Sequence, residues 1–246
     1  ILKIQIEKLL RRRHFIMFIK KNLKYEKISL PDKISLSDKE MDTSIDKFKE
    51  YMLKRHTVRD FSDREVDFDI IKKAIQIAGS APSGANHQPW HFTAISNPDV
   101  KKQIRRAAEI EEEKFYSGGA SDEWIKALEP IGTNANKPHL EIAPWLIIIF
   151  AERFGTFDDG SKYKNYYVPE SVGIATGFLI TALHKAGLSV LTHTPNPMTF
   201  LNNLCSRPKS NKPVMILTVG HASDEATIPK VAKTKKDITE ILSILK

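Results

Sequence analysis

Two short polar segments flank the second helix expected in the body of this 246-residue chain, and both carry residues suited to bind an anion. The first is Arg55-His56-Thr57-Val58-Arg59, in which two guanidinium groups lie four residues apart. An arginine can donate two parallel N–H bonds to one phosphate. The second is Ala81-Pro82-Ser83-Gly84-Ala85-Asn86, a turn whose small residues let backbone N–H groups approach a planar ring or an anion. Together they predict two parts of one phosphate- and ring-binding cradle, although such turns and arginine pairs also occur without a ligand.

A polar stretch at about residues 105–140 is the second candidate, because it is rich in Glu and Lys yet contains several aromatic residues. Glu112 and Tyr116 are four residues apart, so they share one face of a helix. One interpretation is a solvated helix surface, since Glu112 is the middle one of three consecutive acids. The other is a lid that closes over a polar ligand.

The elements that must position these residues follow from the hydrophobic periodicity. Asp67 or Asp69 can cap the helix that separates the two polar segments, and Gly79 ends it. The continuous apolar run at 145–151 is typical of a strand buried on both faces. Helices and strands do not alternate regularly, so we expect an α+β fold. The predicted helices cover residues 45–54, 67–79, 100–116 and 170–186, and the predicted strands cover 90–95, 145–151, 189–194 and 214–220.

The formal net charge of +8 is concentrated at the amino-terminal end. Residues 1–27 contain nine Lys or Arg and two Glu, so they account for seven of the eight positive charges. We therefore expect a basic extension and linker over residues 1–44, and a near-neutral body that does not bind nucleic acid. The single Cys205 excludes an internal disulfide and a cysteine-based cluster, and no metal site is expected. No run of 18 apolar residues occurs, so we expect a cytoplasmic or otherwise soluble protein as the chain is given.

From about residue 45 to 240 the chain resembles the flavin-dependent nitroreductase superfamily and, within it, the iodotyrosine deiodinase family. The segment Arg55–Arg59 resembles that family's FMN-binding segment, and the turn at 81–85 followed by Pro89-Trp90 resembles its flavin turn. Glu112, Tyr116 and Lys137 stand where the deiodinases grip the amino-acid end of their substrate. The segment Thr192-His193-Thr194-Pro195 also fits. When the carboxyl-terminal segment is aligned with the family, Lys233 stands where the family usually has a phosphate-binding arginine.

The resemblance implies a nitroreductase-like fold over residues 45–246, with a mixed central sheet flanked by helices and a lid at about 105–140. It implies an intertwined homodimer with FMN at the subunit interface, and reductive dehalogenation of halotyrosines. Ala85, Glu112, Tyr116 and Lys137 would bind the substrate, with the backbone N–H near Ala85 contacting its phenolate. Thr194 would be the catalytic hydroxyl beside the flavin ring, where it favours one-electron steps. The remaining FMN-binding residues implied by the resemblance are Arg55, His56, Thr57, Val58, Arg59, Pro82, Ser83, Gly84, Thr192, His193, Thr194 and Lys233.

Two departures from the family pattern are visible. Lys233 lacks the bidentate fork of an arginine, and His56 stands where the family often has arginine. His193 is expected to be a packing or surface residue, because the reduction needs no general base from it. The halogen preference and the effect of Lys233 are left open by the sequence.

No dinucleotide-binding motif is visible, so NADPH would donate electrons through a separate reductase. Animal members of the family carry an amino-terminal membrane anchor, so a membrane-anchored form is expected only if such an anchor is missing from this chain. The alternatives are a general FMN nitroreductase or quinone reductase, and a non-catalytic binder of tyrosine analogues. The set Glu112, Tyr116 and Lys137 distinguishes a dehalogenase from the first alternative, since a general nitroreductase does not need to bind a zwitterion.

Overall fold

The computed structural model describes residues 25–157 and 160–246, so nearly all of the basic arm predicted at residues 1–27 lies outside the described residues. The chain divides into two compact units, residues 1–51 and 52–246. Helix α1 (Asp38–Met52) begins seven residues before the predicted start, inside the segment expected to be a linker. The reason is a cap: the Glu40 carboxylate accepts hydrogen bonds from the backbone N and the hydroxyl of Ser37. The Ser-x-x-Glu spacing was the signal that the sequence analysis missed.

A four-stranded antiparallel sheet forms the centre of the second unit. Its order is β1 (Trp90–Ile95), β2 (Trp145–Glu152), β6 (Asn211–Gly220) and β5 (Ser189–His193). An isolated parallel bridge joins Thr57 to Val190, so the segment at residues 55–59 lies beside β5. A separate hairpin, β3 (Phe154–Thr156) and β4 (Lys162–Lys164), was not predicted. The predicted mixed sheet is therefore antiparallel in its four strands, with a single parallel bridge among the described residues.

Helices cover both faces of this sheet, as expected for an α+β fold. Strand β2 is fully buried from residue 146 to 150, which confirms the prediction of burial on both faces. Alternate side chains of a strand point to opposite faces, so Ile147 and Ile149 belong to one core cluster and Ile148 and Phe150 to another. The first cluster contains the contact between helices α2 (Phe68–Gly79) and α6 (Val168–Lys185). The second contains α3 (Pro98–Lys114) and α7 (Phe200–Leu204).

Short elements connect these helices to the site. They are a π turn (Phe115–Gly119), α4 (Asp122–Leu128), a 3-10 turn (Glu129–Ile131), α5 (His139–Ile142), 3-10 turns at Gly84–Asn86 and Lys230–Lys233, and α8 (Ile238–Ile241). Asp67 caps α2 by accepting a hydrogen bond from the backbone N of Asp69, as predicted. Within residues 25–157 and 160–246, no helix combines the length and the apolar character needed to cross a membrane.

Candidate active site

A pocket of about 500 Å³ lies between the end of β5 and the segment that follows α3. It brings together residues predicted from two distant parts of the sequence. Arg59 and the segment Thr192–Thr194 come from the predicted cofactor site. Glu112, Tyr116 and Lys137 come from the predicted lid, and they line the same pocket. Their clustering is what a site for a cofactor and a polar ligand requires, and their individual roles stay predictions.

An ion pair closes the lid side of this pocket. Lys137 Nζ lies 3.0 Å from Glu112 Oε2, and their side chains are only 5% and 15% exposed. The same ammonium donates to the hydroxyl of Thr133 and lies 5.9 Å from the centre of the Tyr116 ring. Burial raises the pKa of Tyr116, so its phenol remains a hydrogen-bond donor. Of the three consecutive acids at residues 111–113, only Glu113 is exposed, so the interpretation as a solvated helix surface holds for that residue alone.

A second carboxylate, Glu109, fixes the backbone that carries Lys137. Its Oε1 atom accepts a hydrogen bond from the backbone N of Lys137 at 2.7 Å and another from Arg105 Nε at 2.9 Å. Arg105 also donates to Glu141 and to the side chain of Asn136. Burial raises the pKa of Glu109, but the bonds from Lys137 and Arg105 outweigh it and lower the pKa below its ordinary value. Helix α3 is thereby tied to the chain segment on the far side of the lid.

The lid tip is built from a turn and three aromatic rings. Helix α3 was predicted to reach Tyr116 but ends at Lys114, because the chain unwinds into the π turn. Gly118 adopts φ +120°, which side chains strongly disfavour. The Phe115 ring packs edge-to-face on Tyr116 and Trp124, at 5.2 and 5.1 Å between ring centres. This aromatic rim borders the pocket and can limit water entry.

Two histidines lie in the wall of the pocket. His193, expected to be a packing or surface residue, is buried, and so is His139. Their rings meet edge-to-face, with centres 5.9 Å apart. Burial first, and then the charge of Lys137, lower the pKa of His193 to about 3 and that of His139 to about 4. His139 was not predicted, because nothing in the sequence marks it except its position two residues after Lys137.

A cluster of basic residues acts electrostatically on His56, and one of them, His184, lies in the last turn of α6. Burial first, and then the charges of Lys233, Arg55, Lys235 and His184, lower the pKa of His56. The charge of Lys233 thus acts on the segment at residues 55–59, with which the resemblance groups it as part of the phosphate site. Such a group of like charges is typical of an anion site.

The rest of the segment at residues 55–59 has three different environments. The Val58 side chain is buried in the core, and Thr57 pairs its backbone with β5. Arg59 lines the pocket, and burial lowers its pKa. Its guanidinium has no carboxylate within ion-pair distance in the described part of the chain.

Within one chain, the Pro-Ser-Gly turn lies apart from the cations around His56. Gly84 N contacts Ser171 Oγ at 3.4 Å, so the turn lies at the amino end of α6. His184, whose charge acts on His56, is 13 residues after Ser171 in that helix, which corresponds to about 20 Å along its axis. The two predicted parts of the cradle are therefore at opposite ends of α6 within one chain.

The turn itself has a defined backbone. Ala85 and Asn86 adopt φ +49° and +54°, and the Ser83 hydroxyl accepts a hydrogen bond from the backbone N of Gln88. A Cβ at Gly84 would approach the Tyr166 carbonyl oxygen to 2.9 Å, so packing within the chain already requires a glycine. Pro82 and Ala85 are exposed and do not line the pocket at Arg59.

Comparison with known proteins agrees with this geometry. Residues 52–221 match the Nitroreductase family. The iodotyrosine deiodinase of Haliscomenobacter hydrossis is 46% identical over 187 residues, which cover 76% of this chain and 84% of that protein. Iodotyrosine deiodinase 1 of Homo sapiens is 40% identical over 81% of this chain and 70% of that protein.

A solved structure gives the same result. The crystal structure of an oxidized iodotyrosine deiodinase bound to FMN and 3-iodo-L-tyrosine superposes with a TM-score of 0.66 at 30% identity. The match covers 77% of this chain and 95% of that one. The chain belongs to the Nitroreductase family and, within it, to the iodotyrosine deiodinases.

Proposed function

We propose that this chain catalyses the FMN-dependent reductive dehalogenation of halotyrosines, with release of halide and tyrosine. The observation that carries the proposal is the buried Glu112–Lys137 pair, which shares one pocket with Tyr116 and Thr194. The solved deiodinase that holds both FMN and iodotyrosine supports it.

The ion pair explains why a zwitterion would be selected. Without a ligand, Glu112 and Lys137 neutralise each other in a place where an unpaired charge would cost several kcal/mol. A free amino acid can replace that pair, with its ammonium on Glu112 and its carboxylate on Lys137 and the Tyr116 hydroxyl. A ligand with a single charge would leave Glu112 or Lys137 unpaired. A nitroaromatic or quinone without an amino-acid group would gain no contact with either charge and would therefore bind more weakly.

The chain's residues fit FMN. The cations around His56 lack a carboxylate among the groups that shift its pKa, so a phosphate would relieve their repulsion. Arg55, Arg59 and Lys233 would hold the phosphate and the ring edge, and Thr192–Thr194 would line the ring. Bound FMN supplies the electrons, since protein side chains cannot. Phosphate binding is expected to be weaker than with an arginine at Lys233, because an ammonium cannot make a bidentate contact.

The reaction replaces a carbon–halogen bond by a carbon–hydrogen bond, and it consumes two electrons and one proton. The chain's own contribution is to hold the ring in place and to exclude water. Glu112, Tyr116 and Lys137 would fix the amino-acid end, and the aromatic rim would close over it. The Thr194 hydroxyl would donate a hydrogen bond to the flavin ring and favour one-electron steps. NADPH would be the electron source through a separate reductase.

A homodimer would complete the site. Because the Pro-Ser-Gly turn and the His56 cluster lie at opposite ends of α6, the turn of a second copy would meet the cluster of the first. Ala85 would then contact the phenolate from across the interface. Helix α6 offers a suitable surface, since Gly173, Ile174, Gly177 and Phe178 are exposed and any Cβ added at the two glycines would meet open space.

The test is halide release. The purified protein with bound FMN, chemically reduced, should release iodide from iodotyrosine and yield tyrosine. Ready reduction of nitroaromatics without halide release would show instead a general nitroreductase. Tight iodotyrosine binding without release would show a non-catalytic binder.

A further inference from the structure

Two ring nitrogens in the pocket wall have no hydrogen-bond partner, and the proposed function gives them no task. They are the Nε2 atoms of His139 and His193, which are buried and form no hydrogen bond with the described residues. The two residues are 6% and 8% exposed. A buried polar atom is costly to leave unpaired, so an unpaired nitrogen beside the proposed substrate-binding residues indicates that a ligand can pair with it.

His193 is the nearer of the two to the lid charges. Its Nε2 atom lies 3.9 Å from Glu112 Oε1, which is adjacent but too long for a hydrogen bond. It is the last residue of β5, and its neighbours Thr192 and Thr194 line the same pocket. The ring of His139 packs against it at an interplanar angle of 83°, which limits its rotation.

The charges around His193 keep its ring neutral. Lys137, Arg59 and His139 act on it besides burial, and each disfavours the imidazolium. A neutral imidazole retains one unprotonated nitrogen, which can only accept a hydrogen bond. In the tautomer that carries its proton on Nδ1, the Nε2 atom is a neutral acceptor beside the Glu112 carboxylate.

We propose that His193 is a second acceptor for the ammonium of the amino-acid substrate, next to Glu112, and that His139 positions its ring. This inference rests on the proposed function, because it needs a zwitterionic guest. An ammonium has three N–H donors, so Glu112 alone leaves donors for another acceptor. His193 would then help to set the preference for substrates with a free amino group.

The experiment compares two ligands on the FMN-loaded, oxidized protein. Iodotyrosine and its analogue without the amino group are titrated, and the dissociation constants follow from the flavin absorbance. The variant His193→Phe should lose about ten- to a hundredfold in iodotyrosine affinity, the range for a hydrogen bond to a charged group. Affinity for the analogue should change by less than about threefold. His193→Gln, whose amide oxygen can accept in place of Nε2, should retain most of the preference for the amine.

Controls separate this inference from the function on which it rests. His139→Phe keeps the ring packing and should keep the preference for the amine. An equal loss of both ligands in His193→Phe would overturn the inference, because it would indicate packing alone. If that variant does not fold, His193→Leu answers the same question. A wild-type protein without any preference for the amine would overturn the proposed function as well.

Discussion

At the scale of single residues, variants of the Glu112–Lys137 pair should affect the stability of the fold and the binding of substrate in different ways. Removing one partner of a buried pair leaves the other charge uncompensated, whereas removing both does not. Glu112→Gln should therefore lower the free energy of unfolding by about 2–4 kcal/mol. The double variant Glu112→Gln with Lys137→Met should recover most of that loss. Urea unfolding of the three proteins measures both effects.

The same variants should behave differently toward ligands. Glu112→Gln and the double variant should both lose iodotyrosine binding by about a hundredfold, while FMN affinity changes little. Glu113→Gln is the matched control, because Glu113 is the exposed neighbour on the same helix. Recovery of iodotyrosine binding in the double variant would contradict the role of the pair, and equal loss of FMN and substrate would contradict the lid assignment.

The two buried histidines give a pH dependence with a defined sign. In the folded chain their pKa values are about 3 and about 4, below the value near 6.5 of an unfolded chain. Between those values the unfolded state binds more protons than the folded state. The contribution of the two neutral histidines to the free energy of unfolding is therefore complete above about pH 6.5 and decreases as the pH falls. Each imidazole adds at most about 1.4 kcal/mol per pH unit.

Urea unfolding of the FMN-loaded protein between about pH 7 and 5 measures this slope, above the range in which most carboxylates titrate. Replacing both His139 and His193 by Gln should reduce it, and His56 and His221, whose pKa values burial also lowers, should account for a remaining slope. A double variant with the wild-type slope would show that other groups cause the loss of stability.

At the scale of elements, the Arg105–Glu109 contacts position the lid. Glu109→Ala removes the acceptor that fixes the Lys137 backbone, so Lys137 should no longer meet the substrate carboxylate correctly. We expect the KM for iodotyrosine to rise about ten- to a hundredfold, with FMN affinity unchanged. Arg105→Ala should act in the same direction. Its control is Arg106→Ala, at an exposed neighbouring position, and an equal effect there would contradict the proposal.

Most elements could be predicted because periodicity and caps are local signals. Strand β1 was predicted with its observed bounds, and α2 was predicted from its cap at Asp67. The hairpin β3–β4 was missed because its strands have three residues each, too few for a visible alternation. The end of α3 was missed because the π turn depends on Gly118, which follows the last helical residue.

The site was predictable only in part, for reasons of the same kind. The i, i+4 spacing of Glu112 and Tyr116 suggested a shared face, but their pairing with Lys137 came from resemblance. Burial of His193 depends on packing between distant segments, which no local pattern reveals. The separation of the Pro-Ser-Gly turn from the cation cluster within one chain depends on how α6 packs, and the spacing of the two segments along the sequence does not indicate it.

At the scale of the whole molecule, the proposed dimer can be tested by complementation. Arg59→Glu damages the cation side, and Ala85→Asp damages the turn while keeping a backbone angle that Asp tolerates. Each variant alone should lack activity. Co-expressed, they should regain about one quarter of the wild-type sites, because each mixed dimer contains one undamaged pair. If activity does not return although mixed dimers form, both halves would belong to one chain.

The length of α6 has a consequence for how the flavin is retained. If the two cradle halves come from different copies, a monomer can contact only one side of the flavin at a time. Flavin retention would then follow mass action: dilution that separates the copies would release the coenzyme, and added coenzyme would pull them together. The protein's abundance in the cell would thus decide what share of it is coloured and able to react.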